Sequence, residues 1–364
     1  MESRFEGAAE VIDQPTFQGT KVFELLSRAF ENARKKYPSE VQESYYVFGG
    51  RPVKFRIVGR ELEGSLLLPF SHLRHTGPIP SIPQLTIDLW DETQTKIRCQ
   101  AHIISGDSEW KQITVQSSDQ RFVAQQLPNT LTCLDRTESR IVGSIAWHPW
   151  VFIYERAKPL ARLLLEWHND QGIQVIHGGL VSQNGRGALL VGKSGSGKST
   201  SSLACLSGGL DFLGEDFIGL EITKEKSVVG HSLYNSVFLE RAHSKRFQEL
   251  APHVVSGLHS RERKSAVILG KGFRQQLRRF VPIRVLVLVR VNEQRIQSHF
   301  RSATKGEGLL GLGPSCLFQI PSRGAGSFSK LAELACLVPA YQLELGRDLR
   351  SIPLAVEKIL SELG

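Results

Sequence analysis

The sequence predicts an α+β domain with an antiparallel sheet, followed by an α/β domain that has a mixed sheet around a glycine-rich phosphate-binding loop. Three observations support this fold class. Short stretches with alternating apolar and polar residues, separated by turn residues, fill the first half. From Glu155 the apolar spacing becomes helical, and a strand then runs directly into the glycine-rich loop. We therefore place the domains at residues 1–154 and 155–364.

The first half begins with a predicted helix over Val22 to Lys36. Val53, Phe55 and Ile57 alternate with polar residues, as do Leu85, Ile87 and Leu89. Both stretches are typical of half-buried strands. The proline-rich segment 77–84 is expected to be a loop. Nothing in this half has the spacing of a catalytic or metal site, so we expect the first domain to recognise a substrate.

The second half begins with ERAKPLARLLLEWHND, which predicts a connecting helix with Pro159 in its first turn and Trp167 on its apolar face. A hairpin follows in IQVIHGGLVSQNGRGALLVG. Its Asn184-Gly185 pair is a strong signal for a two-residue turn between strands. The second strand of this hairpin leads into the glycine-rich loop.

Composition narrows the class of protein. The chain has 364 residues and a formal net charge of +9, which favours anionic partners, with basic residues concentrated from Arg261 to Arg290. No nucleic-acid motif accompanies that charge, so we expect no nucleic-acid partner. No apolar run reaches the roughly 18 residues of a membrane span, and the five single cysteines suggest neither disulfides nor zinc. We expect a cytoplasmic protein, with a homo-oligomer left open.

The strongest motif is GKSGSGKS, which fits G-x-x-x-x-G-K-[ST] between a strand and a helix. Glycines let backbone N–H groups point at phosphate oxygens, and the helix N-terminus adds its positive dipole end. Lys198 should contact the phosphates and Ser199 should ligate Mg²⁺. The motif thus predicts ATP and Mg²⁺ as cofactors, and the predicted nucleotide-binding residues are Gly192, Ser194, Gly195, Ser196, Gly197, Lys198, Ser199 and Thr200.

The letters LSGG just after the loop could suggest a transporter ATPase, but their position argues against it. Leu206 follows Lys198 so closely that it must lie on the helix that the loop starts, and Gly208 and Gly209 are expected to end that helix. The long apolar strand downstream, from Val285, runs into Arg290 rather than an acid. The LSGG match is therefore interpreted as a coincidence.

Candidate acids follow the helix in LDFLGEDFIGLEIT. Glu215 and Asp216 lie inside an apolar stretch, where charges are costly unless they have partners such as a metal. A helix of about ten residues and a return turn could bring both acids back to the loop. His177 ends an apolar run on the strand paired with the one that feeds the loop, so it could lie beside the transferred phosphate or be purely structural.

The combination HGG…GALLVGKSGSGKST…FLGEDF resembles the catalytic domain of the HPr kinase/phosphorylase family, over about Ile173 to Leu220. The segments HSLYNSVFL and LVPAYQLELGRDLRSIPLAVEKIL further resemble HPr-kinase-like proteins of bacterial biosynthetic clusters, including those acting on lasso-peptide precursors. The resemblance implies an HPr-kinase-like domain in which Lys198 and Ser199 contact phosphate and Mg²⁺. It also implies that Asp216 faces the metal, and that Glu215 activates the acceptor hydroxyl beside His177.

Two features depart from that family. Glu215 stands where the family usually has Asp, and the signature E-x-R-G-x-G has no counterpart in GLHSRERKSAVILG. HPr itself is therefore not the expected acceptor. The sequence predicts a kinase for a serine-type hydroxyl, with a biosynthetic precursor peptide preferred. A kinase of a small hydroxylated metabolite and a nucleotide-gated binding module remain as alternatives, and the transition-state arginine stays open among Arg274, Arg278 and Arg279.

Overall fold

The computed structural model describes residues 17–78, 82–99, 112–148, 151, 153–240, 245–255, 264–270, 272–314 and 324–363. It separates into two compact units, one ending at Trp167 and the other beginning at His168. The predicted boundary at 154–155 lies earlier, within the short helix Ile153–Ala157. Cys316, residues 261–263 of the basic segment and 79–81 of the proline-rich loop lie outside the described residues.

The first unit is built on one seven-stranded sheet with the order β1-β2-β3-β7-β6-β5-β4. Its helices are α1 (Gly19–Lys36), α2 (Arg60–Leu66), α3 (Glu92–Thr95), α4 (Ile153–Ala157) and the start of α5 (Ala161–Asp170). Its strands are β1 (Val41–Phe48), β2 (Arg51–Val58), β3 (Leu85–Asp91), β4 (Ile113–Gln116), β5 (Phe122–Leu127), β6 (Thr130–Asp135) and β7 (Arg140–Ile145).

The prediction of an antiparallel sheet in this unit is wrong at its centre, because β3 pairs in parallel with both β2 and β7. Alternation in the sequence identifies a strand but carries no information about its direction. The connection from β2 to β3 contains α2 and a 3-10 helix, Leu68–Leu73, which gives it the length that a parallel crossover needs. The other pairings in the sheet are antiparallel.

The predicted first helix is confirmed as α1, which buries Phe23, Leu26 and Phe30 against the sheet. Beneath it lies Asp88 on β3, a fully buried carboxylate. Arg56 donates to both of its oxygens at 2.6 Å, and the Arg140 Nε donates to one of them at 2.7 Å. A buried charge persists when its hydrogen bonds are satisfied in this way.

The predicted connecting helix is two helices, α4 and α5. Pro159 lies between them rather than in a first turn, and Leu160 has a left-handed φ of 57°. The helical spacing of the apolar residues is therefore real only from Ala161 onward. Proline explains the break, because it supplies no N–H for a hydrogen bond within a helix.

The second unit contains a mixed seven-stranded sheet with the order β11-β10-β8-β9-β15-β17-β16, and a three-stranded sheet with the order β12-β14-β13. Its strands are β8 (Gln174–Gln183), β9 (Arg186–Val191), β10 (Asp211–Ile222), β11 (Val228–Ser232), β12 (Ser236–Glu240), β13 (Val254–Val255), β14 (Lys264–Ile268), β15 (Phe280–Val291), β16 (His299–Ala303) and β17 (Ala340–Leu345). Its helices are α6 (Lys198–Ser207), α7 (Lys305–Leu312), α8 (Gly324–Leu337) and α9 (Ser351–Glu362).

Parallel pairs join β9 to β15 and β15 to β17, whereas β8 runs antiparallel to both β9 and β10. The predicted mixed sheet is thus present. The start of β15 also pairs with β11. The five strands β11, β10, β8, β9 and β15 therefore form a closed ring of paired strands. The predicted Asn184-Gly185 turn joins β8 and β9, with left-handed φ values of 51° and 73° that fit a two-residue hairpin loop.

Helix α6 is buried on nearly every side between the main sheet, the three-stranded sheet and α9. It ends as the sequence predicts, at the double glycine. Gly209 has a φ of 97°, its N–H donates to the carbonyl of Leu206, and the N–H of Leu210 donates to the carbonyl of Cys205. These two bonds form a Schellman motif, which glycine favours because it adopts positive φ without strain.

Candidate nucleotide site

The glycine-rich loop lies between β9, which ends at Val191, and α6, which begins at Lys198. Gly195 and Gly197 have φ values of 74° and 97°, a region that side chains with a Cβ disfavour. Gly197 also packs closely, since a Cβ there would lie 2.5 Å from the Leu345 Cδ1. The loop is therefore held in a turn whose backbone can face a phosphate group at the N-terminus of α6.

Lys198 is largely buried and turns back along the loop. Its Nζ donates to the carbonyl oxygens of Gly192, at 2.7 Å, and Lys193, at 3.0 Å. Burial lowers the pKa of Lys198, while the nearby negative charges of Asp216 and Glu215 oppose this change. The ammonium group thus lies in a water-poor site with two carboxylates close by.

Glu215 faces the first turn of α6 from the neighbouring strand β10. The Ser199 hydroxyl donates to its Oε1, and only 3% of the residue is exposed. Glu215 lies opposite Gly179 in the pairing of β10 with β8. The hydroxyl expected to ligate the metal is therefore in direct contact with a buried carboxylate.

Asp216 has different neighbours from Glu215, although it is the next residue. Its Oδ1 lies 3.2 Å from the His177 Nε2 on β8. Asp216 has a left-handed φ of 70°, which is uncommon for a residue with a side chain. In a regular strand consecutive side chains point to opposite faces. The departure from extended backbone at Asp216 therefore explains how both carboxylates lie near the Lys198 ammonium group.

One glycine on β8, Gly179, lets the helix approach the sheet closely. Gly179 lies opposite Glu215 in the pairing of β8 with β10. A Cβ at Gly179 would come within 2.1 Å of the Ser202 Oγ on α6. Glycine at this position thus leaves room for the helix that carries Ser199 beside the strand that pairs with the acids.

The other neighbour of β9 supplies no acid. Strand β15 runs parallel to β9 and reaches the loop, where the Val289 carbonyl oxygen would lie 3.0 Å from a Cβ at Gly192. The residue that follows is Arg290, and β15 contains neither Asp nor Glu. The carboxylates at the loop therefore come from β10, on the far side of β8.

The structure brings the predicted catalytic and metal-binding residues together, in pairs that the sequence could not specify. The resemblance implied that Asp216 joins Ser199 at the metal and that Glu215 works beside His177. In the structure Ser199 contacts Glu215, and His177 contacts Asp216. Ser194, Ser196 and Thr200 lie in the loop and in the first turn of α6, as expected from the motif.

Of the candidate arginines, Arg278 is committed elsewhere. It forms an ion pair with Asp211 at 2.8 Å, at the start of β10. Asp211 is four residues before Glu215, which places it about 13 Å away along the strand. Sequence reasoning also missed Lys264, whose positive charge contributes to the lowered pKa of Lys198.

The residues at the loop fit a magnesium ion. Mg²⁺ prefers hard oxygen ligands and is usually held by one or two carboxylates together with substrate phosphates. Ser199, Glu215 and Asp216 supply oxygens of that kind within one cluster around the start of α6. Within the described ranges no group of three or more His, Cys, Asp and Glu residues could hold a metal ion.

The LSGG residues lie away from the loop. Ser207 is the last residue of α6, and its hydroxyl donates to Glu249. The LSGG letters are thus the C-terminal end of the helix that the loop starts, as the sequence predicts. In the part of the chain that the structure describes, no helix combines the length and apolar character needed to cross a membrane.

The sequence matches no protein-family profile and no curated protein. Among solved structures, it is similar to the Hpr(Ser) kinase/phosphatase from Coxiella burnetii, with 13% sequence identity and a TM-score of 0.28. That similarity covers 52% of this chain and 95% of the other. This similarity is too weak to support an inference about function. The function proposed below is therefore argued from the residues of the site.

Proposed function

We propose that the protein is an ATP-dependent phosphotransferase that moves the γ-phosphoryl group to a hydroxyl acceptor. One observation carries the proposal: a complete phosphate-binding loop has two adjacent acids with separate partners, Ser199 for one and His177 for the other. Simple nucleotide binding needs a carboxylate at the metal. A second carboxylate paired with a histidine is what transfer to a hydroxyl additionally uses.

The separate partners favour a division of labour between the two acids. Glu215, in contact with Ser199, is the carboxylate placed to hold Mg²⁺, which when bound would offset the charge of the phosphates. Asp216, with His177 behind it, is the carboxylate placed to accept the proton of the acceptor hydroxyl. This assignment exchanges the roles that the sequence resemblance implied.

Lys198 and the loop backbone hold the transferred group. The Lys198 ammonium donates to the carbonyls of Gly192 and Lys193, which belong to the loop that would hold the phosphates. Rotation of the Lys198 side chain alone can therefore move the ammonium from these carbonyls to phosphate oxygens. A buried ammonium neutralises phosphate charge more strongly than one in water, since the effective dielectric constant is lower. Burial of Lys198 therefore serves transfer.

The acceptor follows from the resemblance and not from the geometry. We propose a serine-type hydroxyl on a biosynthetic precursor peptide of the lasso type, with a small hydroxylated metabolite as the competing acceptor. Both require the same proton acceptor. The net charge of +9 is compatible with an acidic peptide as the acceptor.

The test measures ADP formation from MgATP together with transfer of labelled γ-phosphate to serine-containing peptides and to small alcohols. Lys198→Ala should lower transfer by at least roughly 10²-fold, because one charge-stabilising group is lost in the transition state. Circular dichroism should show a folded variant. Turnover close to that of the wild type would exclude the site, and ATP hydrolysis without transfer to any acceptor would favour a nucleotide-gated module instead.

A further inference from the structure

A second cation lies near the phosphate loop, on a strand outside the loop and its helix. Lys264 is the first residue of β14 in the three-stranded sheet, where it lies opposite Glu240 of β12. The small sheet packs against α6. Val237, Leu239 and Val267 of the sheet share a hydrophobic core with Leu203 and Leu206 of the helix. The position of Lys264 along α6 therefore decides whether it can reach the site.

The chain that follows β14 also packs on α6. The strand ends at Ile268, and the carbonyl of Leu269 accepts a hydrogen bond from the Phe273 N–H. The Gln276 side chain then donates to the carbonyls of Leu206, at 2.9 Å, and Leu210, at 3.1 Å. The small sheet is thus held against α6 by this connection as well as by its apolar core.

Lys264 lies within electrostatic range of Lys198. Its positive charge contributes to the lowered pKa of Lys198, for which burial is the main cause. Lys198 is the first residue of α6, and the small sheet that carries Lys264 packs against that helix. Because the interaction between two charges falls off with distance, the two ammonium groups lie near each other.

We propose that Lys264 contacts the transferring phosphoryl group and is a further catalytic residue for the proposed reaction. This inference rests on the proposed function. In that reaction the bond between the γ-phosphorus and the bridging oxygen breaks, a bond from the acceptor oxygen to phosphorus forms, and the hydroxyl proton passes to Asp216. ADP leaves with the bridging electron pair.

Two cations fit the charge of this step. In the transition state the negative charge spreads over the three equatorial oxygens of the phosphoryl group. Lys198 reaches that group from the loop side, and Lys264 approaches from the three-stranded sheet. Its side chain is exposed, which leaves it able to move onto a bound phosphate.

The experiment compares Lys264→Ala, Lys264→Arg and a control, Lys224→Ala, in the full-length protein. Lys224 is also an exposed lysine, but it lies in the turn after β10, eight residues beyond Asp216. Two quantities are measured: kcat for MgATP turnover, and binding of MgADP with and without aluminium fluoride, which mimics the transferring phosphoryl group.

Lys264→Ala should lower kcat by roughly 10²-fold and weaken binding of the aluminium fluoride complex, with MgADP binding nearly unchanged. Lys264→Arg keeps the charge and should retain part of the rate, and Lys224→Ala should match the wild type. Unchanged kcat and analogue binding in Lys264→Ala, while Lys198→Ala is inactive, would overturn this inference alone. Absence of MgATP turnover in the wild type would overturn the proposed function and this inference together.

Discussion

Glu215 and Asp216 are consecutive residues whose side chains have different partners, and that difference can be tested directly. Glu215 touches Ser199, whereas Asp216 faces His177. Glu215→Gln should weaken MgATP binding and turnover together. Asp216→Asn should keep MgATP affinity near that of the wild type while kcat falls by roughly 10² to 10⁴, the usual contribution of a general base.

Calorimetric titration with a non-hydrolysable ATP analogue, run beside a transfer assay, separates these outcomes. The reverse pattern, with MgATP binding lost in Asp216→Asn and retained in Glu215→Gln, would restore the roles implied by the family resemblance. Loss of binding in both variants would mean that both acids serve the metal, and His177 would then be the first candidate for the base.

Glu155 in the first unit should make stability depend on pH. Burial raises its pKa from 4.5 to about 7, although the Thr130 hydroxyl donates to Oε2 at 2.7 Å and opposes the rise. The folded protein therefore holds this proton more tightly than the unfolded chain does. The stabilisation is fully present below pH 4.5 and is lost as the pH rises through about 7.

Glu155→Gln should remove this part of the pH dependence, because an amide has no proton to lose in that range. Urea unfolding of the first unit's signal in the full-length protein, measured from acid to neutral pH, gives the slope for each variant. Glu24→Gln, an exposed carboxyl on α1, serves as the matched control and should keep the wild-type slope. Equal slopes for Glu155→Gln and the wild type would refute the assignment.

The contact between β8 and α6 is tight enough to be tested with one methyl group. Gly179→Ala places a Cβ 2.1 Å from the Ser202 Oγ, so we expect destabilisation of about 1 to 3 kcal/mol, the usual cost of overpacking a core. The Ser202 hydroxyl is buried without a hydrogen-bond partner, so Ser202→Ala alone should change stability little. The double variant should recover much of the loss, and strictly additive effects would argue against the contact.

Some elements were predictable because their signals are local. The glycine-rich loop between a strand and a helix, the Asn184-Gly185 turn and the end of α6 each depend on glycines within a few residues, and these three structural predictions are confirmed. The phosphate-binding role of the loop stays a prediction. The direction of β3 was not predictable, because strands distant in sequence set it. The left-handed backbone at Asp216, which brings both acids near Lys198, has no signal in the side-chain pattern.

Lys264 was missed for a related reason. It lies in a basic run with several other charged residues, so the sequence does not distinguish it from its neighbours. Its charge acts on Lys198 only because the small sheet packs against α6. A signal of that kind could be found in the sequence only by knowing how the small sheet packs.

At the scale of the whole molecule, residues 1–154 are predicted to select the acceptor. A fragment of residues 155–364 should keep MgATP turnover that Lys198→Ala abolishes, but its KM for an acceptor peptide should rise relative to the full-length protein. Transfer to the peptide with unchanged KM would exclude a recognition role for the first unit.

The site is also unusually local in the chain. His177, the loop, Ser199 and both acids all lie within β8, β9, α6 and β10, four consecutive elements that are neighbours in space. Contacts between residues close in sequence form early and with little loop-closure entropy, whereas β15 must join β9 from much further along the chain. The residues at the nucleotide site therefore come together at a low cost in loop-closure entropy, because no long connection separates them.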